Sequence, residues 1–82
     1  MPDLARTPKQ LGALVRRQRK RLGLSQGALG QRAGLRQETI SLIETGNPAT
    51  RLDTLLALLA ALDLELQVAA RTRQHSVEDL IG

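Results

Sequence analysis

Three glycines, Gly23, Gly34 and Gly46, punctuate this chain, and each closes a stretch whose apolar residues recur at helical spacing. They divide the first part of the sequence into short helices. Thr7 is placed to cap the first helix and Pro8 suits its first position. From there Leu11, Leu14, Val15 and Leu22 fall on one side, and Arg16, Arg17, Lys20 and Arg21 cover much of the rest. Ser25 caps a second helix, Gln26–Ala33, through its hydroxyl. Gly27 and Gly30 lie inside it, each costing about 1 kcal/mol against alanine. Tertiary contacts must therefore hold this helix, with Gly30 admitting the close approach of another helix. A third helix runs from about Gln37 to Thr45 with Ile40 and Ile43 inward, and Gly46-Asn47-Pro48 ends it. Thr50 and Asp53 have capping-box spacing, with Asp in place of the usual Glu. The fourth helix covers about Arg51–Ala61, with Leu52, Leu55, Leu56 and Leu59 on one face, broadened by Leu58 and Leu62.

Composition limits what these helices pack around. The 82 residues include no aromatic and no cysteine, so the core is aliphatic, and disulfides, thiolate zinc sites and base-stacking platforms are excluded. A chain this small leans on a partner when it has no metal or disulfide, so self-association is expected. The charge of +4 is lopsided. Residues 1–51 carry ten basic groups against three acidic ones, a net +7, and residues 52–82 carry two against five, a net −3. Nine Lys or Arg and no acid lie between Leu4 and Gln37. A basic half of this kind suits a polyanion: DNA, RNA or an anionic membrane surface. No apolar run approaches the ~20 residues of a membrane span. Pro2, Asp3 and Arg6 interrupt any signal-like stretch, which points to a cytoplasmic protein.

The stretch Leu62-Asp63-Leu64-Glu65-Leu66-Gln67-Val68 alternates apolar and polar residues, the period of a half-buried strand. Its residue types prefer helix, and Leu59, Leu62 and Leu66 also fit a helical face. A helix over 51–70 would be ~30 Å long, about the diameter of a small domain, and the strand is the favoured reading. Four units follow: an arm over 1–7, a helical domain over 8–62, a strand over 63–70 and a polar tail over 71–82 that ends near Leu80 and Ile81.

Ser25-Gln26, Leu29, Gly34, Gln37-Glu38-Thr39-Ile40-Ser41 and Ile43-Glu44-Thr45-Gly46 together describe a capped short helix, a glycine turn and a second short helix, a helix-turn-helix. With the first helix, over about residues 8–62, this resembles the Cro/C1-type (XRE-family) DNA-binding domain. The resemblance implies a mainly α, lambda-repressor-like four-helix fold in which the start of the third helix reads base edges. Those residues are Arg36, Gln37 and Glu38, with Ser41 one turn on. Arginine bonds guanine O6 and N7 with two donors, and glutamine does the same with adenine N6 and N7. Glu38 departs from the pattern, because a carboxylate near phosphates is unfavourable unless it accepts from a cytosine amino group or pairs with Arg36. Leu42 is placed either on a thymine methyl or on a partner subunit. Ser25, Gln26, Arg32 and Arg17 are the implied phosphate contacts, which add affinity but little sequence information. Ser25 is at minimum a cap, and for any one of Arg16, Arg17, Lys20 and Arg21 a solvated face is the favoured reading over a specific contact. Arg19 and Glu44 occupy positions that often form an ion pair in the family.

A lone strand leaves its backbone groups unpaired, and no second strand is visible. Pairing with the same strand of another copy across a two-fold axis, through Leu64, Leu66 and Val68, would satisfy it. This layout resembles the HipB-like antitoxins of type II toxin–antitoxin systems. That resemblance implies a homodimer that binds an inverted-repeat operator on double-stranded DNA, represses its own operon, and neutralises a HipA-like serine/threonine kinase toxin by binding it. The alternative is a plain XRE-family repressor, or an antitoxin of another type II pair, without a kinase partner. An RNA-binding adaptor lacks stacking groups, and a membrane-surface role for Lys9–Arg21 lacks aromatic anchors. No cofactor, metal site or enzyme is expected. The one histidine, His75, falls in the tail, Ser41 and Ser76 have no base beside them, and the glycines follow turn logic rather than a phosphate loop.

Overall fold

The structure is a computed structural model, and it describes residues 3–71. Four helices follow in order: α1 (Pro8–Arg21), α2 (Gln26–Ala33), α3 (Gln37–Glu44) and α4 (Leu52–Ala61). The Thr7 hydroxyl accepts the Gln10 amide at 3.0 Å, and the Gln10 side chain accepts the Arg6 amide at 2.7 Å. The first bond satisfies one of the free donors in the first turn of α1, and the second holds the amide just before the cap. Ser25 does the same for α2, accepting the Ala28 amide at 3.0 Å. Gly34 ends α2 at φ +73, where a side chain would strain the backbone, and the Leu35 amide then closes the turn on the Gly30 carbonyl at 2.7 Å.

The core is Val15, Leu29, Ile40, Ile43, Leu58, Leu59 and Leu62, with Leu24, Ala33, Leu35, Leu55, Ala61 and Leu64 packed around it. Each fully buried leucine or isoleucine contributes about 1.5–3 kcal/mol. Helix α3 packs between α1 and α2, and α2 packs on α4. The short, glycine-containing α2 is thus held by its neighbours through the fully buried Leu29.

Some packing differs from the periodicity. The buried stripe of α1 is Gly12, Val15 and Arg19; Leu11 and Leu14 are half-buried, and Leu22 is exposed. A Cβ on Gly12 would stand 2.3 Å from the Ile43 carbonyl oxygen, so α1 crosses α3 at backbone contact. Gly30 admits the Leu35 carbonyl, at 2.6 Å from a Cβ, rather than another helix. On α4 the inward residues are Leu58, Leu59 and Leu62, while Leu52 and Leu56 are exposed, because the core meets the second half of this helix. The Thr50–Asp53 capping box does not form. Helix α4 starts one residue later, at Leu52, with Arg51 at the cap position. There the Thr50 hydroxyl donates to the Asn47 carbonyl, and Asp53 pairs with Arg51.

A helix running on from α4 is ruled out. Asp63 takes the left-handed conformation at φ +58, and the Leu64 amide bonds back to the Leu59 carbonyl at 2.8 Å. Gln18 donates to the Leu62 carbonyl at 3.0 Å and pins that turn to α1. Leu64 packs on the core, and no β-ladder forms within the chain among the described residues; the strand expected over 63–70 is one that pairs with a second copy. Of the expected tail only Arg71 is described; His75, Leu80 and Ile81 lie outside the described residues.

Two glycine substitutions separate close approach from helix propensity. Gly12→Ala is expected to lower stability in urea titrations by about 1–3 kcal/mol or more, through overpacking against backbone. Gly27→Ala, whose Cβ would meet the Gln37 and Ser25 side chains in ordinary contact at 3.7 and 3.9 Å, is expected to raise it by up to about 1 kcal/mol. Equal effects of the two would refute the helix crossing described here.

Candidate nucleic-acid interface

One buried carboxylate gathers α1, α2 and α3. Glu44, at the end of α3, accepts from Arg19 through both oxygens, at 2.6 Å from Nε and 3.0 Å from Nη2. The third Arg19 nitrogen, Nη1, donates to the Leu24 carbonyl at 2.9 Å, in the turn before α2. Gln26, the first residue of α2, donates its amide to the same Glu44 at 3.3 Å. The two charged side chains are 11% and 4% exposed. The hydrogen bond to Glu44 raises the Arg19 pKa above its ordinary value, outweighing the opposing effect of burial. Two charges withdrawn from water are tolerable only when paired and bonded in this way, and among the described residues no buried side-chain nitrogen or oxygen lacks a partner.

This junction fixes the end of α3 relative to α1 and the start of α2, and with it the direction of the whole short helix. Arg36, Gln37 and Glu38 stand together at the exposed N-terminal end of α3, with Ser41 half-buried one turn on. Gln37 reaches over the first turn of α2, its side-chain oxygen 3.7 Å from where a Gly27 Cβ would sit. The side chains of Arg36 and Glu38 form no hydrogen bond or ion pair among the described residues. The Arg36–Glu38 pair is therefore not made, since Arg36 precedes the helix in extended conformation and residues two apart do not face each other. Leu42 is 53% exposed on the same helix.

Each of the implied phosphate contacts has a partner within the subunit. Ser25 is engaged as a cap, and Gln26 is turned inward to Glu44. Arg17 pairs with Asp3 of the arm, and Arg32 lies 3.7 Å from Asp63 at the end of α4. These two pairs are exposed and worth about 0–1 kcal/mol each, so they yield readily to a stronger anion. On α4 the exposed Arg51–Asp53 pair, followed by the Thr54 amide, holds the Asp53 carboxyl below its usual range.

A basic groove of about 550 Å3 runs between the outer face of α1 and the end of α3, lined by Lys9, Ala13, Arg16, Arg17, Lys20, Glu44 and Thr45. Lys9, Arg16 and Lys20 have no ion-pair partner among the described residues. Lys9 is not among the residues implied by the motif, although the spacing 9, 16, 20 places these three cations on one side of a helix. Among the described residues no cluster of three or more His, Cys, Asp or Glu gathers where a metal could sit. No helix among them is long and apolar enough to cross a membrane.

Glu44→Ala leaves the Arg19 charge buried and unpaired, and is expected to cost about 3–5 kcal/mol in urea titrations. Against a total near the low end of ~5–15 kcal/mol, that unfolds much of the population. Arg17→Ala is expected to cost under about 1 kcal/mol. A Glu44→Ala loss as small as that of Arg17→Ala would contradict the structural role of the junction.

The helix-turn-helix family model matches residues 15–68. No curated protein sequence matches the chain. Among solved structures, HipB in its complex with an O2 20mer is 26% identical, with a TM-score of 0.81 over 88% of this chain and 100% of that one. A chain of the HipA–HipB–O2–O3 complex is 27% identical, with a TM-score of 0.80 over 87% of this chain and 100% of that one. A chain of a HipB–O1–O2 complex is 28% identical, with a TM-score of 0.77 over 84% of this chain and 100% of that one. The motif, the four-helix arrangement and the family match agree: this chain belongs to the XRE-type helix-turn-helix DNA-binding family and has a HipB-like fold.

Proposed function

We propose that this chain is a sequence-specific DNA-binding repressor that acts as a dimer and serves as the antitoxin of a HipA-like serine/threonine kinase. The observation that carries the reading is the exposed Arg36, Gln37 and Glu38 on an α3 held rigidly by the Arg19–Glu44 junction. The second helix of a helix-turn-helix enters the major groove with its N-terminal residues against the base edges. Arg36 and Gln37 supply bidentate donor patterns there, and Ser41 approaches one turn on. Ser25 and Gln26 hydrogen-bond phosphates, and Arg17 and Arg32, joined by Lys9, Arg16 and Lys20, neutralise them. Gln26 makes its contact by turning away from Glu44 or by using its second amide hydrogen.

Dimerisation rests on the segment 63–70, through Leu64, Leu66 and Val68. After the Leu64 amide, none of its backbone groups makes a hydrogen bond among the described residues, and Leu66 and Val68 are 52% and 95% exposed. Pairing with the same segment of a second copy satisfies the backbone and covers both side chains. Two subunits then present their α3 helices about 34 Å apart, one turn of DNA. The kinase partnership is supported by the likeness to HipB, which is found in a complex with HipA and O2–O3. A protein of this kind works in the cytoplasm on the nucleoid, and it binds rather than catalyses.

Truncation after residue 63 is expected to yield a monomer in sedimentation and to weaken binding to a palindromic duplex by orders of magnitude. An intact dimer would refute the strand pairing. Gln37→Ala is expected to alter preference at one base position. Arg17→Ala should weaken all sequences alike and reduce the salt slope by about one. Equal losses on specific and random duplexes for both variants would overturn these roles. Co-expression should relieve the toxicity of a HipA-like kinase from the same operon; duplex binding without such rescue would leave a plain repressor.

A further inference from the structure

Four of the six acids in the described part of the chain are matched to cations. Asp3 pairs with Arg17, Glu44 with Arg19, Asp53 with Arg51 and Asp63 with Arg32. Glu38 and Glu65 are the two exceptions among the described residues. Glu65 lies in the acidic half, beyond α4. Glu38 is the sole acid between Leu4 and Ile43, in the part of the chain richest in cations. It sits on the exposed first turn of α3, beside Arg36 and Gln37, and pairs with neither.

An ionised carboxylate has acceptors only. Carried into the major groove it loses water, and it meets phosphates and most base edges as like-charged or acceptor neighbours. Guanine offers N7 and O6, both acceptors. Thymine offers O4 and a methyl group. Adenine sets its N6 donor beside the N7 acceptor. Cytosine offers the N4 amino donor. We propose that Glu38 is a specificity-determining residue that selects cytosine by accepting a hydrogen from N4, and that it acts chiefly by rejecting every other base at that position. The inference rests on the reading of α3 as the groove-entering helix. A filter of this kind discriminates at the expense of affinity, because its repulsion is relieved on one base alone. The competing role is local: α3 lacks a side-chain cap, and an acid in its first turn complements the helix dipole.

The test selects duplexes from a pool of 20-base-pair palindromes randomised in each half-site, using the full-length wild type, Glu38→Gln and Glu38→Ala, and follows unfolding of all three proteins in urea. Wild type is expected to enrich cytosine at one symmetry-related position. Glu38→Gln is expected to move that position to adenine, matching the amide to N6 and N7, with the other positions unchanged. Glu38→Ala should flatten it, lowering discrimination there about tenfold while binding to other bases tightens. Identical sequence profiles for the three proteins overturn the proposal, whether accompanied by a shift in unfolding midpoint, which assigns Glu38 to the helix dipole, or by a uniform gain in affinity, which assigns it to phosphate repulsion. A wild type that selects no duplex at all overturns the groove reading itself, and this inference with it.

Discussion

The bidentate bond between Arg19 and Glu44 is the contact on which the arrangement of the first three helices depends. It is the one buried ion pair among the described residues, and it replaces apolar packing where α1 meets α3. A methionine–leucine contact there could be as stable or more so. A guanidinium fork, however, fixes direction as well as distance. Arg19 has a third donor on the Leu24 carbonyl, and Glu44 shares an oxygen with Gln26, so one contact sets α1, the turn before α2, the first residue of α2 and the end of α3. Gly12 acts in the same place by geometry alone, letting the two backbones touch.

A domain with seven core side chains and no aromatic has little stability in reserve. Its short helices gain from one another what propensity denies them, and α2 is the clearest case. Two glycines weaken it, yet its serine cap, its left-handed Gly34 and the buried Leu29 hold it between α3 and α4. The same economy leaves apolar surface outside. Leu52 and Leu56 on α4, and Leu66 and Val68 beyond it, face solvent in the single subunit, which accords with a chain that works as two.

The elements that carry local chemistry were readable from residues alone. Thr7, Ser25, Gly34 and the Gly46-Asn47-Pro48 break mark helix ends through caps and turns, which need no knowledge of the rest of the fold. Exposure of Arg36, Gln37 and Glu38 follows from their place between a glycine turn and an apolar pair. What could not be read depends on how elements meet. No one-dimensional pattern says that Gly12 lies under two carbonyls, and the Arg19–Glu44 pair was legible through the family resemblance and not through the apolar period of α1. Leu52 and Leu56 fit an apolar face as well as Leu58 does, and only the position of α2 decides which of them is covered. Gln26 could reach solvent or Glu44 with equal ease, and the choice is made by a residue eighteen positions away. The segment after α4 was ambiguous because its alternation and its residue preferences disagree; the left-handed Asp63 removes the helix.

The most direct test of the junction is a double-mutant cycle on Arg19→Met and Glu44→Leu, read by unfolding in urea and by affinity for a selected palindromic duplex. If the ion pair orients the reading helix, each single variant is far less stable than the double variant, and the double variant folds yet discriminates less between selected and random duplex than the wild type does. Additive losses of stability, or a double variant with undiminished discrimination, would contradict the account.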